Sequence, residues 1–546
     1  LWYKLRSEVK NFGEMMVWQE FLEDWVISYL EALKKMMLQK ELPFPFSINE
    51  PGIIYCPCNP RKKSSIAPVG YDIYTKGLGS EHAFDMPFLA CYASKLFQNY
   101  AGTGPTFSPE TGAGWFDPFS KVPMENTVQM AMMEIAHSTR SINYYVLHDC
   151  VEVDGVPYKW DTCINIKGET QPRYDAVKKV GAFIKENENL LLLSEEIKDD
   201  IAIAEYIPNH RMFGSDPFYH LIDLTVSGFL GLLHEIGINP DIIDLEKTTE
   251  EDMRKHRAIF LLSKGYMDVS TLKKLKSYVE SGGILITSPL AVQRDVHGHP
   301  LKSEDIFPVK LRKRKIHYFT RASLMTIINL VIWRAFKRWR IKSKWQLFTI
   351  DAQQQSIPGL NDFLGRKVQL SYPGGKIDCA PIIFTWEAKA PVERILAKGK
   401  KLVGFSHNFG RGKVIVLGAL IGAPFSCTKY YKLSTEDKER SKGFVKWLLG
   451  TCNISQNISA DIEVIARGTE KGALLFLINR GVARDGSFQI LRPERIGLGA
   501  KRYKIKKLFS YHNSGIEKEE VSGEELRKGI GYSMDKDDVL VVELQP

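Results

Sequence analysis

Glu110 is the residue whose neighbours best equip it for chemistry. It ends a short strand-like run, Pro105-Thr106-Phe107-Ser108-Pro109, and is followed by Thr111-Gly112-Ala113-Gly114-Trp115-Phe116-Asp117-Pro118. Two glycines let the backbone turn tightly and approach a ligand closely. The Trp115 indole offers an apolar face on which a sugar ring can stack. A strand-terminal carboxylate beside an aromatic floor is what glycoside hydrolysis requires of one of its two carboxylates. Spacing alone leaves an equal alternative, in which Glu110 caps the turn that follows. Polar residues also close other strand-like runs: Asn49 and Glu50 before Pro51-Gly52, Asp72 and Tyr74 in Val69-Gly70-Tyr71-Asp72-Ile73-Tyr74, and His148-Asp149 after 141–147.

The elements that must position these residues alternate. Residues 18–40 carry Phe21, Leu22, Trp25, Val26, Tyr29, Leu30 and Leu33 at three- and four-residue spacing, which predicts a helix. Strands are expected at 44–48, 67–74, 105–108 and 141–147, with helices over 82–100 and 125–138 between them. Repeated strand-then-helix order implies a parallel sheet or barrel, and such folds place their sites at strand ends. Residues 201–204, 258–262, 284–287 and 413–417 read as the buried strands of a second, doubly wound α/β region. Helices are expected there over 219–236 and 271–281, the latter stopped by Gly282-Gly283. From Ile462 onward, runs such as Ala473-Leu474-Leu475-Phe476-Leu477-Ile478 predict a small β-sandwich.

At 546 residues, with 44% hydrophobic and 25% charged residues, the chain can bury several cores, and wholesale disorder is excluded. No apolar run reaches the length of a membrane-spanning helix, and the first residues lack the order of a secretory signal. Eight scattered cysteines do not make a disulfide framework, so a reduced, cytoplasmic protein is expected. The net charge of +10 resides in one segment, because residues 306–350 hold 12 Lys/Arg and no Asp or Glu. Trp333, Trp339 and Trp345 interleave with those cations. That pattern can stack bases or lie on an anionic membrane, but one basic patch without a fold signature points instead to an irregular insertion, and neither nucleic acid nor membrane is the expected partner. Cys56 and Cys58 supply at most two ligands, and no nearby Cys/His pair completes a zinc site. His297 and His299 read as solvent-facing loop residues. Residues 404–412 lack a phosphate-loop spacing, so no cofactor and no metal is expected.

Ser108-Pro109-Glu110-Thr111-Gly112-Ala113-Gly114-Trp115-Phe116-Asp117, followed by Ser141-Ile142-Asn143-Tyr144-Tyr145-Val146, resembles the β-galactosidases of glycoside hydrolase families 35 and 42. It is most similar to the archaeal β-galactosidase and exo-β-D-glucosaminidase group between them. In that group a Glu, five residues before a Trp at the end of the seventh barrel strand, is the nucleophile, so the resemblance implies that role for Glu110. It also implies sugar contacts for Asn143 and Tyr145 on the eighth strand. Val69 to Tyr74 resembles the sixth strand, and Gly168-Glu169-Thr170-Gln171-Pro172-Arg173 resembles the lead into the last barrel helix. Trp160 and Asp161 fall where they can border the pocket mouth.

The fold expected is therefore α/β: the C-terminal part of a (β/α)8 TIM barrel over 1–195, then a doubly wound, flavodoxin-like domain over 196–450 with the basic insertion 306–350, then a β-domain over 451–546. A full barrel needs about 250 residues, or roughly 30 per strand–helix unit. Only 109 residues precede Glu110, so strands one to four are expected upstream of Leu1, with the acid/base Glu that the family carries on strand four. Asn49-Glu50 imitates its dipeptide one strand too late, which leaves Glu50 a weak acid/base candidate. The activity implied is a retaining exo-β-glycosidase acting on terminal β-galactosides of oligosaccharides. The alternatives are a β-glucosaminidase, in which Asp72 pairs with a 2-ammonium group, and a catalytically incomplete carbohydrate-binding or structural protein. A homo-oligomer is implied by the resemblance, whose middle domain commonly mediates self-association.

Overall fold

The computed structural model describes residues 12–41, 46–50, 59–73, 88–101, 105–114, 123–151, 157–158, 161–212, 217–316, 367–380, 382–426, 433–499 and 501–546. Trp115, Tyr74, Trp160, Cys56, Cys58 and residues 317–350 of the basic segment lie outside them. Two compact units form. One comprises Leu1–Phe21, Tyr206–Phe229 and Leu245–Trp447, the other Leu22–Glu205, Leu230–Asp244 and Leu448–Pro546.

In the second unit, four strands lie side by side in chain order: β1 (Ile48–Glu50), β2 (Val69–Ile73), β3 (Phe107–Gly112) and β4 (Ser141–Tyr145). Every pairing is parallel, because helices rather than hairpins join the strands. These are α2 (Pro60–Ser64), α3 (Phe88–Gln98) and α4 (Met124–Ala136), preceded by α1 (Phe12–Gln39). The expected strand–helix rhythm is thus present as an open four-stranded sheet; a closed barrel is not formed by the described residues. Tyr71 shows how sheet and helices lock. Its ring packs 5.2 Å from that of Phe97 on α3, and its hydroxyl lies 2.7 Å from those of Ser94 and Thr139.

Helix α1 begins six residues earlier than the periodicity indicates. Leu22 and Glu23 are buried, the latter accepting a hydrogen bond from Asn59 Nδ2 at 3.1 Å, while Phe21, Trp25 and Tyr29 are 54–61% exposed. The helix is apolar around more than half its circumference, so period alone cannot say which side is covered.

The C-terminal segment of this unit is a two-sheet β-sandwich of four and five strands, the second sheet extended to six by Glu195–Glu196. Leu475, Leu477, Phe488, Tyr532, Leu540 and Val542 interlock between the sheets. The strand Ala473–Ile478 is buried at every position. Its continuous apolar run, without alternation, is what burial on both faces requires.

The first unit departs from a purely doubly wound design. Ala258–Ser263, Ile284–Pro289 and Gly412–Leu417 are parallel as expected, but the sheet continues through Lys401–Phe409, Glu393–Lys398 and Val368–Tyr372 in antiparallel pairings. The cause is local. Gly399 and Gly410, at φ +58° and +57°, allow tight turns between consecutive strands, and tight turns join only antiparallel neighbours. The start of the basic segment, Val309–Ile316, is a strand paired with Ile382–Ala388.

Candidate active site

Side chains along a strand alternate between faces, so register decides which candidates meet. Asn49 pairs with Gly70, and Asp72 with Glu110. Asn49, Asp72 and Glu110 therefore share the face turned away from the helices, and Asn49 Nδ2 donates to Glu110 Oε1 at 3.1 Å. Gly70 makes the close approach possible, since a Cβ there would overlap the Phe107 ring and Pro109.

A β-bulge aims Glu110. The β3–β4 register shifts between Ser108 and Thr111, so two residues, Pro109 and Glu110, occupy the space of one. Ser108 and Thr111, three apart, then both turn toward the helices. The Thr111 hydroxyl stands 2.8 Å from Ser108 Oγ and 2.9 Å from Glu134 Oε2 on α4. The Pro109 carbonyl, freed from regular pairing by the bulge, accepts a hydrogen bond from Asn143 Nδ2 at 2.8 Å. Bulges commonly re-aim side chains beside sites in this way. Asn143 thus braces the Glu110 strand, and Tyr145, two residues on, is 39% exposed on the same side of β4.

Glu50 stands apart from this group. One residue after Asn49, it faces the helices instead. It is fully buried and ion-paired to Lys63 Nζ on α2 at 2.5 Å. The dipeptide that imitates an acid/base motif thus puts its Asn, not its Glu, on the Glu110 face. The Lys63 ion pair ties the Glu50 side chain to α2, on the opposite side of the sheet from Glu110.

Electrostatics distinguish the two carboxyls that do meet. Burial, then the Glu110 charge, push Asp72 up to about 7, against the Asn49 hydrogen bond that lowers it. Asp72 is therefore partly protonated near neutrality, as a carboxyl buried beside another carboxylate becomes. Behind the sheet, burial also raises Glu134 to about 7, opposed by hydrogen bonds from Thr111, Ser108 and Tyr71.

The Glu134 shift has a consequence for stability. The folded state holds a proton that the unfolded chain releases near pH 4.5, so stability falls as pH rises from there to about 7. For this fully buried group the loss is about 3 kcal/mol. Glu134→Gln keeps the shape and removes the titration. Its melting temperature should match the wild type at pH 5 and exceed it by several degrees at pH 8; equal pH profiles for the two proteins would contradict this.

The remaining candidates have structural roles or none here. Asp149 is buried and accepts from Thr162 Oγ1 at 2.9 Å, while His148 is exposed. Asp161 pairs with Arg173 at 2.6 Å. His299 lies on an exposed loop beside Asp295, at 3.1 Å. Nothing in the sequence signals the roles of Asn49 and Glu134: Asn49 is one polar strand-end residue among several, and Glu134 resembles any helix acid, although it is fully buried. No described helix is long and apolar enough to cross a membrane.

Residues 222–327 match the family described as GLMA-like, second domain. A Beta-1,2-glucosyltransferase of Ignavibacterium album is 23% identical over 325 residues, 52% of this chain and 44% of that protein. An Exo-beta-D-glucosaminidase of Pyrococcus horikoshii is 27% identical over 172 residues, 30% of this chain and 22% of that protein. The chain thus spans less than half the length of either relative. Among solved structures it is similar to Gan42B, a GH42 beta-galactosidase from G. stearothermophilus, with TM-score 0.67 and 14% identity over 99% of this chain and 69% of that one. It is also similar to the beta-galactosidase of Bacillus circulans sp. alkalophilus, with TM-score 0.66 and 14% identity over 97% and 68%. The fold is glycoside-hydrolase-like, and these likenesses do not single out family 35.

Proposed function

We propose that the chain carries the nucleophile half of a retaining exo-β-glycosidase site that cleaves terminal β-galactosides from oligosaccharides. The observation that carries this reading is Glu110 itself, set on the open face by a bulge, held by Asn49 and flanked by Asp72. In the proposed reaction a Glu110 carboxylate oxygen bonds to the anomeric carbon as the glycosidic bond breaks. Water then displaces Glu110 and releases the sugar with its configuration kept. Asn143 and Tyr145, on the neighbouring strand, contact the sugar.

The leaving oxygen needs a proton from a carboxyl about 5–5.5 Å from the nucleophile and across the bond. Asp72 is on the strand next to Glu110, so its carboxyl stands beside the nucleophile rather than opposite it. In this reading the opposing acid comes from outside the described residues. A leaving group that departs without a proton bypasses it. The chain by itself should turn over 2,4-dinitrophenyl β-galactoside at least about 100-fold faster than lactose, the share general acid catalysis contributes. Comparable rates on both substrates would show that an acid is already in place. No reaction with either would favour a carbohydrate-binding or structural role.

Asp72 supports a second reading, cleavage of terminal β-glucosaminides from chitosan oligosaccharides. Its carboxylate would pair with the 2-ammonium group, and the similarity to a glucosaminidase accords with this. Because Asp72 ionises near pH 7, kcat/KM for an aryl β-glucosaminide should then rise with pH through about 7, and Asp72→Asn should abolish the rise. A glucosaminidase activity indifferent to Asp72→Asn would rule the pairing out.

A further inference from the structure

Away from the Glu110 face, three metal-ligating side chains converge inside the second unit. Cys91 lies on α3, His137 caps the C-terminus of α4, and His234 ends the helix Pro217–His234. All three are buried, and one ligand atom from each lies within 4.8 Å of the others. In a tetrahedral zinc site such atoms stand about 3.3–3.6 Å apart, given Zn–S near 2.3 Å and Zn–N near 2.0–2.1 Å. Small side-chain shifts therefore suffice to close the site.

The imidazoles already have the orientation a metal needs. His137 Nδ1 lies 2.7 Å from Glu196 Oε1, and its Nε2, 3.9 Å from Glu463 Oε1, forms no hydrogen bond and faces the cluster. His234 Nδ1 is 3.6 Å from Glu463 Oε1, and its Nε2 is 3.1 Å from Cys91 Sγ. A carboxylate behind each imidazole is the arrangement that fixes tautomer and basicity in metal sites. Lys95 neutralises Glu196 at 3.0 Å, and Arg480 holds Glu463 Oε2 at 2.8 Å, while Glu463 Oε1 has no hydrogen-bond partner. Glu463 Oε1 thus stands 3.9 Å from His137 Nε2 and 3.6 Å from His234 Nδ1 without a hydrogen bond to either, and a cation held by the two imidazoles would lie beside this buried carboxylate.

We propose that Cys91 Sγ, His137 Nε2 and His234 Nε2 bind one Zn²⁺-class, thiophilic divalent cation, with Glu196 and Glu463 as positioning residues. The ligands come from three helices, so the ion would pin their ends together independently of any glycosidase activity.

Cobalt tests this directly on the full chain after reduction and removal of metals with a chelator. Titration with Co²⁺ should saturate at one equivalent, with a near-ultraviolet sulfur-to-cobalt charge-transfer band, and Zn²⁺ should displace it. Cys91→Ser should lose the band, and Glu196→Gln should weaken binding about 10–100-fold. A band that persists in Cys91→Ser, or its absence from the wild type, overturns the proposal. Should Cys91→Ser not fold, alkylation of the wild type in mild denaturant decides. Zn²⁺ should protect Cys91 and leave the buried Cys452 unaffected, whereas equal labelling of Cys91 with and without Zn²⁺ rejects the site.

Discussion

Glu110→Ala should lower the rate on an activated aryl β-glycoside by at least about 10³-fold, a loss in the range that removing a nucleophile produces. The substitution removes a half-buried side chain that accepts a hydrogen bond from the Asn49 amide, and melting should change little. The cavity it leaves has a diagnostic use. Azide can enter it and attack the anomeric carbon from the side Glu110 occupied, giving a glycosyl azide of inverted configuration. Rescue by azide with that product separates a nucleophile from a residue that merely orders the pocket. A variant that keeps wild-type turnover would remove Glu110 from the reaction.

Arg467→Met should be the most damaging single change to the second unit. Arg467 is 1% exposed. Its guanidinium donates to the Ala136 carbonyl at 2.9 Å, to the Ser194 carbonyl at 2.6 Å, and to the hydroxyls of Ser138 and Ser194 at 2.8 Å each. Ala136 ends α4, and Ser194 follows the helix Glu188–Leu193. One cation from the sandwich strand Glu463–Gly468 thus satisfies the unpaired carbonyl ends of two helices, where the helix dipole favours positive charge. Burial lowers the guanidinium only to about 10, so it stays charged at neutral pH. Methionine fills much of the volume and leaves those acceptors unsatisfied, at about 3–5 kcal/mol. Chemical denaturation of the second unit should show that loss, and an unchanged midpoint would contradict the role.

The parts of this fold legible in the sequence were those with a short-range signature. Strand–helix alternation located β2, β3 and β4 within a few residues, and the fully apolar run at Ala473–Ile478 announced a strand covered on both faces. Residues 108–117 and 141–146 carried a motif that pointed to Glu110. The bulge that aims Glu110 was hidden, because it is a register shift between two strands and leaves no mark in either alone. Glu50 misled for a related reason. Alternation separates it from Asn49, but which of the two faces the site depends on the partner strand. The antiparallel half of the first unit was readable in principle from the turn glycines at 399 and 410. Cys91, His137 and His234 could not be read together at all: they lie 46 and 97 residues apart, and metal-site patterns are recognisable only when ligands are close in sequence.

The most direct test of the central claim is to treat the chain with a 2,4-dinitrophenyl 2-deoxy-2-fluoro-β-galactoside and map the product by peptide mass spectrometry. The fluorine slows hydrolysis of the glycosyl-enzyme ester, and the good leaving group makes its formation independent of an acid. The account predicts one fluoro-sugar per chain, on the peptide containing Glu110 and absent from Glu110→Gln. A label on another carboxylate, or one that survives in Glu110→Gln, would contradict it.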